Sequence, residues 1–424
     1  MRQKQNLLRA VSLTVVSAMA ALALLTSCGG DAGGGTTPPP ASSKPSTSTP
    51  SGGDGGSGDS GGGSSGSETD PDEEQEKLVT QDQVEWDYTT NSSGGVTLTG
   101  YHSKSRSRTI LKLTGAVDIP EKIGDLTVTA IGDDFLYRCT TVTSVTLPKT
   151  ITEIGSYAFG ECHELASINF PNGLKTIGEY AFVSTKLSSV TIPKEVTEIK
   201  KGTFSFCTEL RELSLPEGLK TIGESAFKQS ALTKVEIPEG VETIGDVAFA
   251  TQGSAYSEPG PLSSVKLPST LKEIGGAAFS YTSLTSVEIP DNVTVIGQEA
   301  FELCDKLQEV KLSANSKLQE VGMEAFAYTD VTSINLPMTV NKIDSGAFEN
   351  CSSLKNIYIP AGVKELYANT FDRCDALQTI SYGGDKSQLT YLSFSDEKVD
   401  EPTWASKIED RQSPLSTFSL FSLF

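Results

Sequence analysis

Histidine is almost missing from this chain: only His102 and His163 occur in 424 residues. A histidine-based catalytic dyad has few candidates, and neither histidine sits in a recognisable constellation of acids and nucleophiles. Cationic excess is missing as well. There are 34 Lys and Arg against 54 Asp and Glu, a net charge of −20. That balance argues against nucleic acid as a partner and against passive attachment to anionic lipid. Beyond Ser27 no run is apolar enough to span a bilayer. Paired CxxC spacing is absent, so the cysteines give no zinc-type ligand set. No cofactor or metal is implied, and the chain reads as a non-enzyme.

What is present is a repeat. Its clearest copy lies between Pro148 and Pro171, KTITEIGSYAFGECHELASINF. A short alternating stretch ends in Pro, followed by Ile-Gly, then Ala-Phe, then a small residue, then Leu. The closing prolines are Pro120, Pro148, Pro171, Pro193, Pro216, Pro238, Pro268, Pro290, Pro337 and Pro360, with Ser313 and Gly383 in the same place in two further copies. Most of these closures recur at a near-constant spacing of about 22–24 residues, a period that means stacked coils. In each copy alternation turns Val and Ile or Leu inward and Ser, Thr or charged residues outward. Pro closes the strand because it brings no N–H to a ladder. Phe159, Phe182, Phe204, Phe227, Phe249, Phe279, Phe301, Phe326, Phe348 and Phe371 recur at one place in the period. Stacked coils set these rings over one another as a buried aromatic column.

The copies of L-x-x-[VI]-x-[IL]-P followed by I-G-x-x-A-F, such as Leu187 to Pro193 with Ile199 and Phe204, resemble the BspA-like subclass of bacterial leucine-rich repeats. The expected fold is therefore a leucine-rich repeat solenoid with a 22–23-residue period. It consists mainly of short parallel β-strands, with an irregular or short-helical convex side. Pro stands where most leucine-rich repeats carry an Asn ladder. Lys200 and Asp344 replace the Gly of the Ile-Gly pair, and Leu136 takes the Phe place in the first copy, so local disturbance of the coils is expected there.

Five segments follow. Residues 1–27 read as a signal peptide, with Arg2, Lys4 and Arg9 before an apolar run. Leu25-Thr26-Ser27-Cys28 resembles the bacterial lipobox, which implies lipidation of Cys28. Residues 28–76 form a Gly/Ser/Pro/acidic tether without core-forming residues, with a reach of roughly 35–40 Å. Residues 77–120 are expected to close the N-terminal end, with a hairpin about Asn91-Ser-Ser-Gly-Gly and Trp86 in the lid. The solenoid spans 121–383. Residues 384–424 are expected to close the other end, with Tyr391, Leu392, Phe394 and Trp404 as lid residues before an apolar tail, FSLFSLF.

Gly58-Asp59-Ser60-Gly61-Gly62 matches the surroundings of the trypsin-like serine nucleophile, but it lies in the tether, away from the rigid turn that such chemistry needs. Cys139, Cys162, Cys207, Cys304, Cys351 and Cys374 share one place in the period with Thr185, Ser230, Thr282 and Thr329. A place shared by Cys, Thr and Ser is small and buried, and all six are read as free thiols.

Candidate contact residues lie on the outward strand row and on one insertion. Glu236, Lys266, Glu288 and Lys311 alternate in sign along the stack and are expected to form a surface ion ladder. Tyr358 is the aromatic of that row. The interval from Phe249 to Phe279 is the longest in the phenylalanine series, and its extra chain, Thr251–Pro261, offers Tyr256 and Glu258 at an exposed tip. The resemblance implies a bacterial surface lipoprotein, most simply on the outer membrane, binding protein partners such as host matrix or other cells. Capture of glycan or peptide for nutrient uptake, and a structural spacer, are the alternative functions.

Overall fold

The computed structural model describes residues 77–104, 111–251 and 259–410. Cys28, the tether, Tyr256, Glu258 and the FSLFSLF tail lie outside them. The described residues form a solenoid of short parallel strands. Their only helices are three 3-10 turns, Gln81–Gln83, Lys386–Gln388 and Thr403–Lys407. The convex side is built of turns.

Each coil contributes to three columns of backbone hydrogen bonds. The first is the expected Pro-terminated strand, for example Ser189–Thr191 beside Glu212–Ser214 and Lys234–Glu236 beside Ser264–Lys266. The closing Pro then accepts a hydrogen bond from the buried apolar residue three places on, as Pro148 does from Ile151 at 3.3 Å and Pro171 from Leu174 at 3.0 Å. The second column was not foreseen. The residues before each Gly form two-residue strands, and from Glu198–Ile199 to Lys342–Ile343 they make a parallel seven-stranded sheet. In the third column N–H groups of one turn donate to carbonyls of the next coil: Tyr157 to Glu179, Phe159 to Ala181 and Glu161 to Val183, all within 2.7–2.9 Å. Residues of positive φ recur in these turns, Tyr157 at 53° and Glu161 at 55° among them.

The Ile-Gly pair has a steric cause. A Cβ at Gly178 would meet backbone atoms of the preceding coil at 2.3–2.5 Å. Lys200 occupies that place one coil later, and there the second column is interrupted between Thr176–Ile177 and Glu198–Ile199. Asp344 does not interrupt it: Lys342–Ile343 stays paired with Glu320–Val321. The other interruption falls at Tyr367, the bulky residue at the Gly place of the following coil.

The phenylalanine column is continuous. From Phe159 to Phe371 successive rings stack at 5.4–5.7 Å and within 13° of parallel. Phe249 and Phe279 stack at 5.5 Å across the long interval, so the core keeps its register there. In the first copy Leu136 keeps the backbone register, donating to Ala158, while the neighbouring Phe135 supplies the ring that meets Phe159. Trp86 closes one end against Phe135 at 5.6 Å and Trp404 the other against Phe371 at 5.1 Å. The indole N–H of Trp404 donates to the Ala368 carbonyl at 2.8 Å.

The hairpin forms as expected, Val84–Thr90 against Val96–Ser103. Val96–Ser103 also starts the second column, pairing with Leu126–Ile131. Pairing does not stop at 383, because Ile408–Asp410 continues the first column beside Thr379–Tyr382. Phe394, expected in the lid, is 72% exposed.

Candidate binding surface

The expected contact row divides when built in three dimensions. Glu236, Lys266, Glu288 and Lys311 are exposed, and the register sets Glu236 beside Lys266 and Glu288 beside Lys311. Only the first pair closes, at 2.8 Å. Lys311 instead reaches Glu309 on its own strand at 3.5 Å, and Glu288 makes no ion pair among the described residues. The ladder fails in the middle because Ser264–Lys266 and Ser286–Ile289 are not hydrogen-bonded neighbours. Exposed pairs of this kind contribute about 0–1 kcal/mol.

Tyr358 is not a surface residue. Its side chain is only 4% exposed. The hydroxyl donates to Met338 Sδ at 3.1 Å, and the ring tip occupies the space that a Cβ at Gly383 would take. Alternation aims it outward, but the missing side chain at Gly383 lets it fold down against the coil.

Two exposed aromatics, Tyr157 and Phe206, stand on the turns of the third backbone column, with Tyr137 and Tyr180 half-buried beside them. Tyr157 and Tyr180 occupy the same place in successive coils and stack at 5.0 Å, within 14° of parallel. Tyr137 meets Tyr157 edge-on at 5.6 Å. Gly202, the counterpart of Tyr180 in the next coil, leaves room for the Tyr180 ring: a Cβ there would lie 2.2 Å from it. Phe206 follows, 42% exposed, with Lys228 Nζ 5.9 Å from its ring centre. Tyr157 is 36% exposed.

Charge surrounds this strip. Arg138 lies 5.2 Å from the Tyr137 ring centre and pairs with Glu161 at 2.9 Å, and the Tyr137 hydroxyl also donates to Glu161, at 3.3 Å. Lys201 pairs with Glu224 at 2.8 Å. Partial burial raises the Tyr157 pKa, and the negative charges of Glu179, Asp134 and Glu161 raise it further against an opposing Lys201. Burial likewise raises the Asp134 carboxyl, with Asp133 adding to the shift.

A second concavity lies beside the N-terminal hairpin, an open cleft of about 550 Å³ lined by Trp86, Tyr88, Glu85, Asp118, Lys104 and Lys122 among others. The six thiols are buried and none is in a disulfide. No group of acidic, His or Cys residues could hold a metal ion among the described residues.

The tyrosine strip escapes notice in the sequence because its places vary from coil to coil. The signal is nonetheless present: Tyr157 and Tyr180 stand one period apart, each two places before a column phenylalanine.

A family model described as the BspA type leucine rich repeat region matches six copies, over residues 129–255, 252–337 and 319–412. No curated protein matches the chain. Among solved structures, the chain is similar to a leucine-rich repeat protein from Bacteroides ovatus ATCC 8483, at 25% identity over 70% of this chain and 93% of that one, TM-score 0.43. It is also similar to a leucine rich cell surface protein from Faecalibacterium prausnitzii A2-165, at 28% identity over 74% and 96%, TM-score 0.40. A third likeness is to the pneumococcal vaccine antigen PcpA, at 18% identity over 79% and 97%, TM-score 0.48.

Proposed function

Because the chain belongs to the BspA-type leucine-rich repeat family, which points to protein binding in general, we propose that it is a lipid-anchored surface protein that mediates adhesion. The partners are proteins of a host matrix or of other cells. Cys28 carries the anchor, residues 28–76 lift the solenoid away from the membrane, and the stacked coils present a long rigid side to a partner. Each buried methylene of an acyl chain contributes about 0.8 kcal/mol, so several chains on one Cys hold firmly. Display of many copies multiplies weak contacts into avidity.

The observation that carries this reading is the strip Tyr137–Tyr157–Tyr180–Phe206. Tyr157 and Phe206 are exposed and Tyr137 and Tyr180 half-buried, and aromatic side chains with charged neighbours are the types enriched at protein interfaces and their hot spots. Cells displaying the chain should adhere saturably to immobilised matrix proteins or mucins, and protease treatment of intact cells should abolish adhesion. Full protection of the chain in intact but not in lysed cells would defeat the surface assignment.

A second reading, capture of a small glycan or peptide for uptake, is favoured by the cleft lined by Trp86 and Tyr88 with nearby carboxylates. Binding to glycans alone would promote it. Binding to neither class would leave a structural spacer.

A further inference from the structure

Tyr157 and Tyr180 have spent one ring face on each other, and the far side of Tyr180 is filled by Gly202. Tyr137 has Arg138 over its ring and leans edge-on against Tyr157. A sugar that stacks on an open aromatic face therefore finds little face here. What the strip offers is ring edges and hydroxyls. The Tyr157 and Tyr180 hydroxyls have no hydrogen-bond partner among the described residues.

The carboxylates beside them are also under-used. Asp134 and Glu179 make no ion pair or side-chain hydrogen bond among the described residues, whereas Glu161 and Glu224 are paired to Arg138 and Lys201. Among the described residues Asp133 is engaged only by the Ser156 backbone N–H, at 2.6 Å. Asp134 and Glu179 are thus the carboxylates beside the tyrosines without an ion pair, although Lys201, paired to Glu224, also acts on Glu179 from a distance. Asp134 stands exposed beside Asp133, and desolvation together with that like charge disfavours its own. A cation docked there would relieve that cost. Side-chain cations already sit on two of the strip's rings, Arg138 on Tyr137 and Lys228 on Phe206.

We propose that the strip docks an arginine- or lysine-bearing segment of the protein partner, its charge held by Asp134 and Glu179 and its N–H donors by the Tyr157 and Tyr180 hydroxyls. This rests on the protein-binding reading above and narrows it to a chemistry. Charge-assisted hydrogen bonds to carboxylates are the stronger kind, and a guanidinium supplies five donors in a fixed plane. A phenol pair, Tyr157 exposed and Tyr180 half-buried, beside unpaired acids suits such a group better than it suits an acidic or an apolar segment.

A net charge of −20 attracts any polycation diffusely, so the test must alter the strip without altering charge. The full chain is titrated at physiological salt with a flexible Gly-Arg repeat peptide, its Gly-Lys counterpart and an uncharged Gly-Ser peptide. The Gly-Arg peptide should bind, the Gly-Ser peptide should not, and Tyr157→Ala/Tyr180→Ala should weaken binding at least tenfold. Tyr157→Phe/Tyr180→Phe keeps the rings and the fold, and should still weaken it about threefold. Asp134→Asn/Glu179→Gln should weaken it far more than Glu217→Gln/Glu273→Gln, which removes the same charge elsewhere. Equal weakening by the two acid pairs, or no effect of either tyrosine pair, would overturn the proposal. If the cationic peptides fail but an immobilised protein still binds, this chemistry falls and the protein-binding reading stands. If the peptides bind through the strip and no protein does, the reverse holds.

Discussion

The thiol of Cys207 lies 3.3 Å from the hydroxyl of Thr185, one coil earlier, and both donate to the carbonyl of Phe182, at 3.2 and 3.0 Å. The same triangle recurs with Cys304, Thr282 and Phe279, and with Cys351, Thr329 and Phe326. The place that alternates between Cys and Thr is therefore a buried donor site aimed at the carbonyl of a column phenylalanine. Thr fills it from its own coil and Cys from the next.

Burial pushes the Cys207 and Cys304 thiols up to about 11, from an ordinary value of 9.0, against small opposing hydrogen bonds from Thr185 and Thr282. The folded state holds these protons more tightly than the unfolded one. Their stabilisation is complete below pH 9 and is lost as pH rises through 11, by about 2–3 kcal/mol per thiol. Denaturation midpoints at pH 8 and pH 11 should show a smaller alkaline loss for Cys207→Thr/Cys304→Thr than for the parent chain. An unchanged loss would contradict the burial of these thiols.

Phe227 sits mid-column, with Phe204 at 5.7 Å and Phe249 at 5.4 Å. Replacing it by Ala should cost about 3–5 kcal/mol, the range for buried Phe→Ala. Because each coil is stabilised only by its neighbours, the loss should appear first as local melting around the mutated coil. Hydrogen exchange would register it there. A uniform change of under about 1 kcal/mol along the chain would argue against a stacked column.

Val247 is a β-branched residue at φ 49°. A side chain of that shape is strained in the left-handed region, at a cost of order 1–3 kcal/mol. Val247→Gly or Val247→Asn should keep the 2.7 Å bond from its N–H to the Gly276 carbonyl and raise stability by about 0.5–1 kcal/mol, read as a higher unfolding midpoint. A lower midpoint for both variants would show that the valine side chain matters more than its backbone.

Gly202 is held at φ 60° beneath the Tyr180 ring. Gly202→Ala should cost about 1–2 kcal/mol from the backbone alone. It should also displace the ring, which tyrosine fluorescence or side-chain NMR would detect. An unmoved Tyr180 signal would mean that the ring does not rest on Gly202.

The core was legible because it repeats. The Phe column, the Pro-ended strands and the small buried Cys/Thr/Ser place each recur at one place in the period, whereas Trp86 and Trp404 lie outside the repeat and follow from the need of a stack for closed ends. The second strand column was not, since two residues such as Glu198–Ile199 are too few for alternation to show. Lys200 announced the interruption it accompanies; Asp344 announced one that does not occur, and Tyr367 produced the other. The contact surface was the least legible part. Glu236 and Lys266 pair as expected, but Tyr358 is drawn inward by Gly383, and the stacked rings of Tyr157 and Tyr180 sit on turns whose other copies carry Ser225, Val247, Ala277 and Glu299. A site made of exceptions to a repeat leaves little trace in the repeat.

Adhesion through the turn face is tested most directly by binding isotherms of the full chain on immobilised matrix proteins, run beside Tyr157→Ala/Tyr180→Ala/Phe206→Ala and beside Glu236→Gln/Lys266→Met on the strand face. The expected result is saturable binding that the aromatic variant weakens at least tenfold and the strand-face variant leaves within twofold. Saturable binding untouched by the aromatic variant but lost with the strand-face one would contradict it.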